Sequence, residues 1–156
     1  MRSAGEGYLL EQRQLLDEPR ENVFDFFADA RNLEAITPDR LRFEVRDAEE
    51  PIAEGSRIRY RLRLRGIPLR WVSRIAAWDP PRAFADVQMQ GPYRRWEHVH
   101  LFVDRGDRTL AVDRVRYNLP IGPAGSLAHR LFVADDLRSI FAYRARRLAE
   151  RFGTLR

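Results

Sequence analysis

The sequence predicts an α+β domain in which a curved antiparallel sheet of about seven strands wraps around a long C-terminal helix. Two observations carry this prediction. Apolar and polar residues alternate with a period of two over much of residues 41–119, and a single apolar stripe at helical spacing runs through the C-terminal end. The 156 residues, 44% hydrophobic and 33% charged, are interpreted as one globular domain, 1–156.

The N-terminal part predicts one strand followed by two short helices. Residues 8–17 are typical of a strand, and Pro19 stands where a short helix begins. The apolar side of that helix consists of Val23, Phe24, Phe26 and Phe27. A second short helix passes through Asn32 and Ile36 and ends before Pro38, because the residue before a proline disfavours helical dihedral angles.

Six further strands are predicted by alternation and by turn residues between them. Their ranges are 41–46, 57–65, 69–75, 83–90, 94–104 and 109–119. Gly66-Ile67-Pro68 predicts the turn after the strand 57–65. Around that turn we pair Tyr60 with Ser73 and Leu62 with Trp71.

The final helix is predicted from about Gly125 to Phe152, a length of roughly 40 Å at 1.5 Å per residue. Its apolar stripe is formed by Val133, Leu137, Ile140, Phe141, Ala145, Leu148 and Phe152. A helix of this length needs a sheet face of similar length to cover it. We expect the helix to leave part of the concave face unfilled, which provides room for a pocket.

Several polar residues share the parity of the predicted inner face. A turn centred between Gly106 and Asp107 places His100 opposite Asp113, and His98 is then diagonal to Asp113. The same register pairs Trp96 with Tyr117 and Phe102 with Ala111. Asp86 and Gln88 share the parity of Phe84 on the strand 83–90. Arg144 lies on the apolar stripe and requires a carboxylate partner, for which Asp113 and Asp86 are the candidates.

Three interpretations of these polar residues stay open. They form a satisfied network that fixes the sheet register, or they line a cavity and orient a ligand, or a His–Asp pair acts as general acid and base. In the third case the catalytic candidates are His100 and Asp113. The spacing His98-Val99-His100, with Asp113 as a third ligand, is a weak metal signal, and we predict neither a metal nor another cofactor.

The net charge of +5 rests on 28 basic residues, all of them arginine. Arg57, Arg59, Arg61, Arg63 and Arg65 lie on the outer face, where the assumed register sets Arg63 against Arg70 and Arg59 against Arg74. We interpret this row as a solvated convex face. The alternative is contact with RNA or a membrane surface, and no DNA partner is expected.

Other features limit the compartment and the assembly. The chain has no cysteine, which excludes disulfides and thiolate sites. It has no apolar run of roughly 20 residues and no signal-peptide stretch at its start, so we expect a cytoplasmic protein. The open edges of the predicted sheet allow a homodimer.

Three segments carry a family resemblance. Residues 91–100, GPYRRWEHVH, resemble a G-P-Y-R-x-W-x-H-x-H block. Residues 113–122, DRVRYNLPIG, resemble a D-x-V-x-Y-x-L-P-x-G block, and residues 141–144, FAYR, match a third block. Together they are similar to the cyclase/dehydrase-type branch of the START-like (SRPBCC) superfamily. The resemblance implies a helix-grip fold with a deep hydrophobic cavity, in a superfamily that includes lipid carriers, hormone binders and aromatase/cyclases.

The predicted function is the binding or carriage of a small hydrophobic or amphipathic molecule in a cavity of roughly 300–1,000 Å³. The alternatives are a polyketide cyclase or dehydratase that uses a His–Asp pair, and an RNA or membrane interaction module. Leu64 and Phe84 are expected in the cavity wall. The other predicted ligand-binding residues are Tyr60, Leu62, Trp71, Asp86, Gln88, Trp96, His98, His100, Asp113, Tyr117 and Arg144.

Overall fold

The computed structural model describes residues 2–4, 7–119, 127 and 129–153. One antiparallel sheet has the strand order β1-β2-β8-β7-β6-β5-β4-β3. Its strands are β1 Arg2–Ala4, β2 Gly7–Leu16, β3 Glu44–Ala48, β4 Arg57–Leu64, β5 Ile67–Asp79, β6 Ala83–Gln90, β7 Arg95–Asp104 and β8 Thr109–Asn118. The seven predicted strands are confirmed, and the short β1 is an addition that the sequence did not indicate.

Two short helical segments follow β2, as predicted. Helix α1 spans Arg20–Ala28, and a 3₁₀ helix spans Ala30–Ile36. A further 3₁₀ turn, Asp39–Leu41, ends at Arg42 with a φ of 45°. The strand predicted at 41–46 therefore begins only at Glu44.

The C-terminal helix α2 spans Ala134–Phe152, after a π-helical turn at His129–Val133. Its 19 residues correspond to about 28 Å, shorter than the predicted helix, whose start at Gly125 lies outside the described residues. The helix ends at Gly153, whose φ of 77° favours glycine and whose N–H donates to the Ala149 carbonyl at 2.8 Å.

Two contacts fasten α2 to the sheet in addition to apolar packing. The side-chain amides of Gln12 and Gln14 on β2 donate to the backbone carbonyls of Phe141 (3.1 Å) and Ala145 (2.6 Å). Within the described part of the chain, no helix is both long and apolar enough to cross a bilayer.

The main core fills one end of the space between sheet and helix. The ring of Phe24 on α1 lies 5.6 Å from that of Phe102 and 6.0 Å from that of Phe84, while Phe26 meets Phe152 at 5.5 Å. Phe24, Phe26, Phe84 and Phe102 belong to a continuous buried cluster that includes Leu148 of α2, and the partly buried Phe152 packs against it. The other end of the concave face is left for the polar residues described below.

The register of β7 and β8 agrees with the prediction: His100 pairs with Asp113 and Trp96 with Tyr117. Because side chains on a strand alternate between faces, this pairing sets all four on the concave face.

The predicted β4–β5 register is wrong by two residues. Tyr60 faces Trp71 and Leu62 faces Leu69, because the turn consists of Arg65 and Gly66 alone, with φ values of 49° and 80°. Two left-handed residues are what a two-residue hairpin turn requires. Ile67 and Pro68 consequently belong to β5, and the opposed arginines are Arg61 with Arg70 and Arg57 with Arg74. A shift of two leaves every side chain on its predicted face.

Candidate functional site

A cavity of about 170 Å³ lies between the sheet and α2. It is smaller than predicted because three large aromatic rings occupy the concave face. Trp71 and Trp96 meet edge to face at 5.2 Å, and Tyr93 lies 4.8 Å from Trp96. The residues that line the cavity are Thr37, Leu41, Phe43, Tyr60, Leu62, Leu64, Trp71, Ser73, Asp86, Pro92, Tyr93, Trp96, His98, Leu137, Ile140, Phe141 and Arg144.

Gln88 holds the backbone of Tyr93, one of the aromatic residues that line the cavity. Its side-chain amide donates to the Tyr93 carbonyl at 2.7 Å, and its Oε1 accepts from the Tyr93 N–H at 3.1 Å. The close approach requires a glycine at position 91, since a Cβ there would lie 2.5 Å from Oε1 of Gln88. Gln88 was predicted to bind ligand, but it is absent from the cavity lining and instead holds the β6–β7 turn.

The polar end of the cavity is organised by Asp113 of β8. Asp113 does not line the cavity itself but bonds to two residues that do. Its Oδ1 accepts from His98 Nε2 at 2.7 Å and from Arg144 Nη2 at 3.3 Å. The side chains of His98 and Arg144 are buried, with exposed fractions of 7% and 11%. The predicted pairing of Arg144 with Asp113 is therefore present, and the closest imidazole is the diagonal His98 rather than the directly opposed His100.

His100 bonds instead to the second carboxylate. Its Nε2 lies 2.8 Å from Oδ2 of Asp86, while its Nδ1 lies 3.4 Å from Arg144 Nη2. A guanidinium only donates, so Nδ1 accepts and the Nε2 proton points to Asp86. The ring of His100 is stacked between those of Phe84 (4.0 Å) and His98 (3.7 Å), which fixes its plane.

Burial and neighbouring charges set the protonation states of this network. Burial holds the pKa of His100 well below its usual value, so His100 is neutral. Burial raises the pKa of Asp86, and the negative charge of Asp113 adds to that rise. For Asp113 burial acts in the same direction, but Arg144 and the hydrogen bond from His98 outweigh it and leave the pKa lowered.

A second, uncharged chain of polar groups borders the cavity. Trp71 Nε1 donates to Ser73 Oγ at 3.0 Å. Burial raises the pKa of Tyr60 despite an opposing hydrogen bond with Ser73, so its phenol is neutral. These three side chains offer a ligand weakly polar contacts without a formal charge.

Arg144 leaves one donor without a partner. Its Nε is buried, and no hydrogen-bond acceptor for it occurs in the described part of the chain. The side chain borders the cavity, and its guanidinium carbon lies 5.1 Å from the ring of Phe27. An unpaired buried donor costs about 1–3 kcal/mol, and this one is enclosed by protein atoms.

The structure separates the predicted site residues into two groups. Tyr60, Leu62, Trp71, Asp86, Trp96, His98 and Arg144 line the cavity. Of the remaining four, His100 and Asp113 lie behind the wall in the network, Tyr117 is fully buried, and Gln88 supports the turn. Phe84, expected in the wall, instead stacks on His100.

Several lining residues were not predicted. Leu137, Ile140 and Phe141 belong to the same helical stripe as Arg144, and their spacing around it was the signal that could have placed them in the cavity. Thr37 follows a 3₁₀ segment outside the alternating strands. Leu41 belongs to the predicted strand 41–46, but it reaches the cavity from a 3₁₀ turn.

A metal-like grouping also occurs in the described residues. Asp86, His98 and His100 place ligand atoms within 4.8 Å of one another. Both imidazole Nε2 atoms are already bonded to carboxylates, and the Arg144 charge beside them opposes a cation. The absence of a metal stays a prediction.

Comparison with known proteins gives a clear result for the fold. No family model matches the chain, and no curated protein matches it. The aromatase/cyclase Zhui from Streptomyces sp. R1128 superposes with a TM-score of 0.68 at 15% identity, covering 96% of this chain and 99% of that one. A START superfamily protein from Mycobacterium smegmatis gives 0.69 at 13% identity, with coverages of 93% and 99%.

A point mutant of norcoclaurine synthase from Thalictrum flavum, in complex with a transition-state analogue, gives a TM-score of 0.68 at 9% identity, with coverages of 96% and 99%. Likeness at such identities shows the fold alone. The chain therefore has the START-like (SRPBCC) helix-grip fold, as the sequence resemblance implied.

Proposed function

We propose that this protein binds a small, largely hydrophobic molecule in the cavity between the sheet and α2. The observation that carries the proposal is an aromatic-walled cavity of about 170 Å³ whose charged side chains, Asp86 and Arg144, lie together. An apolar cavity of about 150 Å³ accommodates a benzene molecule. The occupant is accordingly one ring in size or slightly larger, and Trp71 and Trp96 contact its apolar part.

The polar end selects for an oxygen on that molecule. Arg144 borders the cavity, and its charged guanidinium would donate to a carbonyl, ether or phenolic oxygen there. Asp86 is a second contact at the same end. The ligand class is thus a compact ring compound with one polar substituent.

Two compounds of nearly equal shape test this assignment. Acetophenone and α-methylstyrene differ in a carbonyl oxygen that replaces a methylene group, and saturation-transfer NMR measures the affinity of each. A hydrogen bond to a charged donor contributes about 1.5–3 kcal/mol, so acetophenone should bind at least about tenfold more tightly. If neither compound binds, the cavity proposal is wrong; if both bind alike, the role of Arg144 is wrong.

The matched variant for this experiment is the double substitution Asp113→Asn/Arg144→Met. It removes both charges of the buried pair at once, so no charge is left without a partner. The cavity remains, and the preference for acetophenone should disappear while binding of α-methylstyrene persists.

A cyclase or dehydratase activity is the second candidate, and the position of Asp86 favours it. The predicted acid–base pair, His100 and Asp113, lies behind the cavity wall, whereas Asp86 borders the cavity and its pKa is raised by burial. A raised pKa favours the protonated carboxyl, which beside a ligand carbonyl would act as the general acid, and His98, which also lines the cavity, is the candidate base.

Proton exchange of acetophenone in D₂O tests this candidate. Asp86 would protonate the carbonyl oxygen while the base removes a methyl proton; the resulting enol then takes up deuterium on its return to the ketone. Exchange above the buffer rate that is lost in Asp86→Asn supports an enzyme. Exchange at the buffer rate, with acetophenone bound, rejects catalysis and leaves a binder.

A further inference from the structure

The outer face of the β4–β5 hairpin carries a cluster of arginines. Arg42, Arg61, Arg63 and Arg70 line a surface groove of about 500 Å³ together with Glu44. Glu44 is engaged by Arg46 at 2.9 Å, and the nearby Asp47 by Arg59, also at 2.9 Å. The four groove arginines have no ion pair within the described residues.

This arrangement is unfavourable when the groove is empty. Arg61 and Arg70 are directly opposed across β4 and β5, and like charges in that position repel. Glu44 lies opposite Arg61 on β3, but it is the one carboxylate among the groove residues and is already paired with Arg46. Arg63 follows Arg61 by two residues on the same face, roughly 7 Å along the strand. An anionic surface placed against the groove would relieve the repulsion of all of them together.

Exposed apolar side chains lie at the tip of the hairpin, on the side opposite the groove: Ile67 is paired with Leu64, which borders the cavity, whereas the groove arginines face outward. Ile67, the first residue after the turn, is 63% exposed. Arg65 in the turn lies 4.6 Å above the ring of Phe132 and pairs with Asp136, which brings the tip against the start of α2. Phe132 and Leu131 are themselves 47% and 52% exposed. Large exposed apolar residues on both sides of one turn are typical of an interaction surface.

We propose that the tip of the β4–β5 hairpin docks on an anionic lipid bilayer, with the groove arginines on its outer side and Ile67, Leu131 and Phe132 at the turn and on its inner side. Unpaired arginines suit anionic head groups, and the adjoining exposed side chains suit the acyl layer beneath them. Leu64 and Leu137, which line the cavity, adjoin the same tip, so docking would bring the cavity rim to the membrane. The proposal does not depend on which ligand the cavity holds.

Vesicle co-sedimentation of the whole protein tests the docking. The probes are vesicles of phosphatidylcholine alone and vesicles containing about one third phosphatidylglycerol, at low and high salt. We expect binding to the anionic vesicles only, and expect it to weaken as salt is raised. Absence of binding to anionic vesicles at low salt would overturn the proposal.

Two surface variants separate the contributions. Arg61→Gln/Arg70→Gln should bind anionic vesicles about 25-fold more weakly, since each arginine near such a surface contributes about fivefold. Ile67→Ser/Phe132→Ser should weaken binding about tenfold with the charge unchanged.

The control is Arg31→Gln/Arg105→Gln, which removes the same charge from two exposed arginines elsewhere, Arg105 lying in the β7–β8 turn at the opposite end of the sheet. This control should bind vesicles like the wild type. If the control weakens vesicle binding as much as Arg61→Gln/Arg70→Gln does, the net charge of the protein explains the effect and the proposal is overturned. A second outcome would assign this surface to nucleic acid instead. In that outcome an RNA oligonucleotide displaces the protein from the vesicles, and Ile67→Ser/Phe132→Ser binds the RNA as tightly as the wild type does.

Discussion

Replacing Asp113 with asparagine is expected to lower the free energy of unfolding by about 3–5 kcal/mol, the usual cost of breaking a buried ion pair. Asp113 accepts from His98 at 2.7 Å and from Arg144 at 3.3 Å, and its loss leaves the charge of the buried Arg144 without a partner. For a chain of this length, that cost corresponds to a fall in Tm of about 6–20 °C.

The matched control is Asp47→Asn. Asp47 pairs with Arg59 at 2.9 Å, a short distance like those at Asp113, but the two side chains are 58% and 52% exposed. An exposed pair contributes about 0–1 kcal/mol, because water screens it. Urea unfolding followed by far-ultraviolet circular dichroism measures both variants under identical conditions.

A double-mutant cycle completes this test. Asp113→Asn/Arg144→Met should be destabilised less than the sum of the two single variants, since each single change leaves an uncompensated partner. The reasoning is refuted if Asp113→Asn costs no more than Asp47→Asn, or if the two substitutions at the buried pair are additive.

Three further predictions follow from the same structure. Because the pKa of His100 is lowered by burial, the unfolded chain takes up a proton that the folded chain does not. Wild-type stability should therefore fall relative to His100→Gln, by up to about 1.4 kcal/mol per pH unit, as the pH drops below about 6.5; parallel urea profiles of the two proteins would contradict this. Gly91→Ala should cost about 1–3 kcal/mol in urea unfolding, since the new Cβ displaces Gln88 from Tyr93. Gly66→Ala, at a φ of 80°, should cost about 1–2 kcal/mol by the same measurement, and a neutral result would show that the turn relaxes.

The sequence predicted the sheet and its inner face well because strand parity is visible in the residue pattern. His100 opposite Asp113 followed from parity and the position of one turn. The β4–β5 register was missed because it depends on Arg65 adopting a left-handed φ, which a non-glycine residue adopts only rarely. Because the register shifted by two residues, each side chain stayed on its predicted face, and the predicted cavity residues of β4 and β5 still lie on the concave side.

The finer chemistry of the site was less predictable. Register fixes which Cβ atoms are neighbours but not which way an imidazole turns, so the pairing of His98 with Asp113 and of His100 with Asp86 required side-chain positions. The cavity volume likewise depends on how Trp71, Trp96 and Tyr93 pack against one another. Which polar groups border the cavity and which lie behind it follows from that packing.

The central claim is that a ring compound occupies the cavity against Trp71 and Trp96. The chain has three tryptophans, and the third, Trp78, packs in the main core 5.1 Å from Phe24. Fluorine NMR of protein labelled with 5-fluorotryptophan gives one signal for each, assigned with single Trp→Phe variants. On titration with acetophenone, the signals of Trp71 and Trp96 should shift together while that of Trp78 stays in place. A titration that moves none of them, or that moves Trp78 as far as the other two, would contradict ligand binding in this cavity.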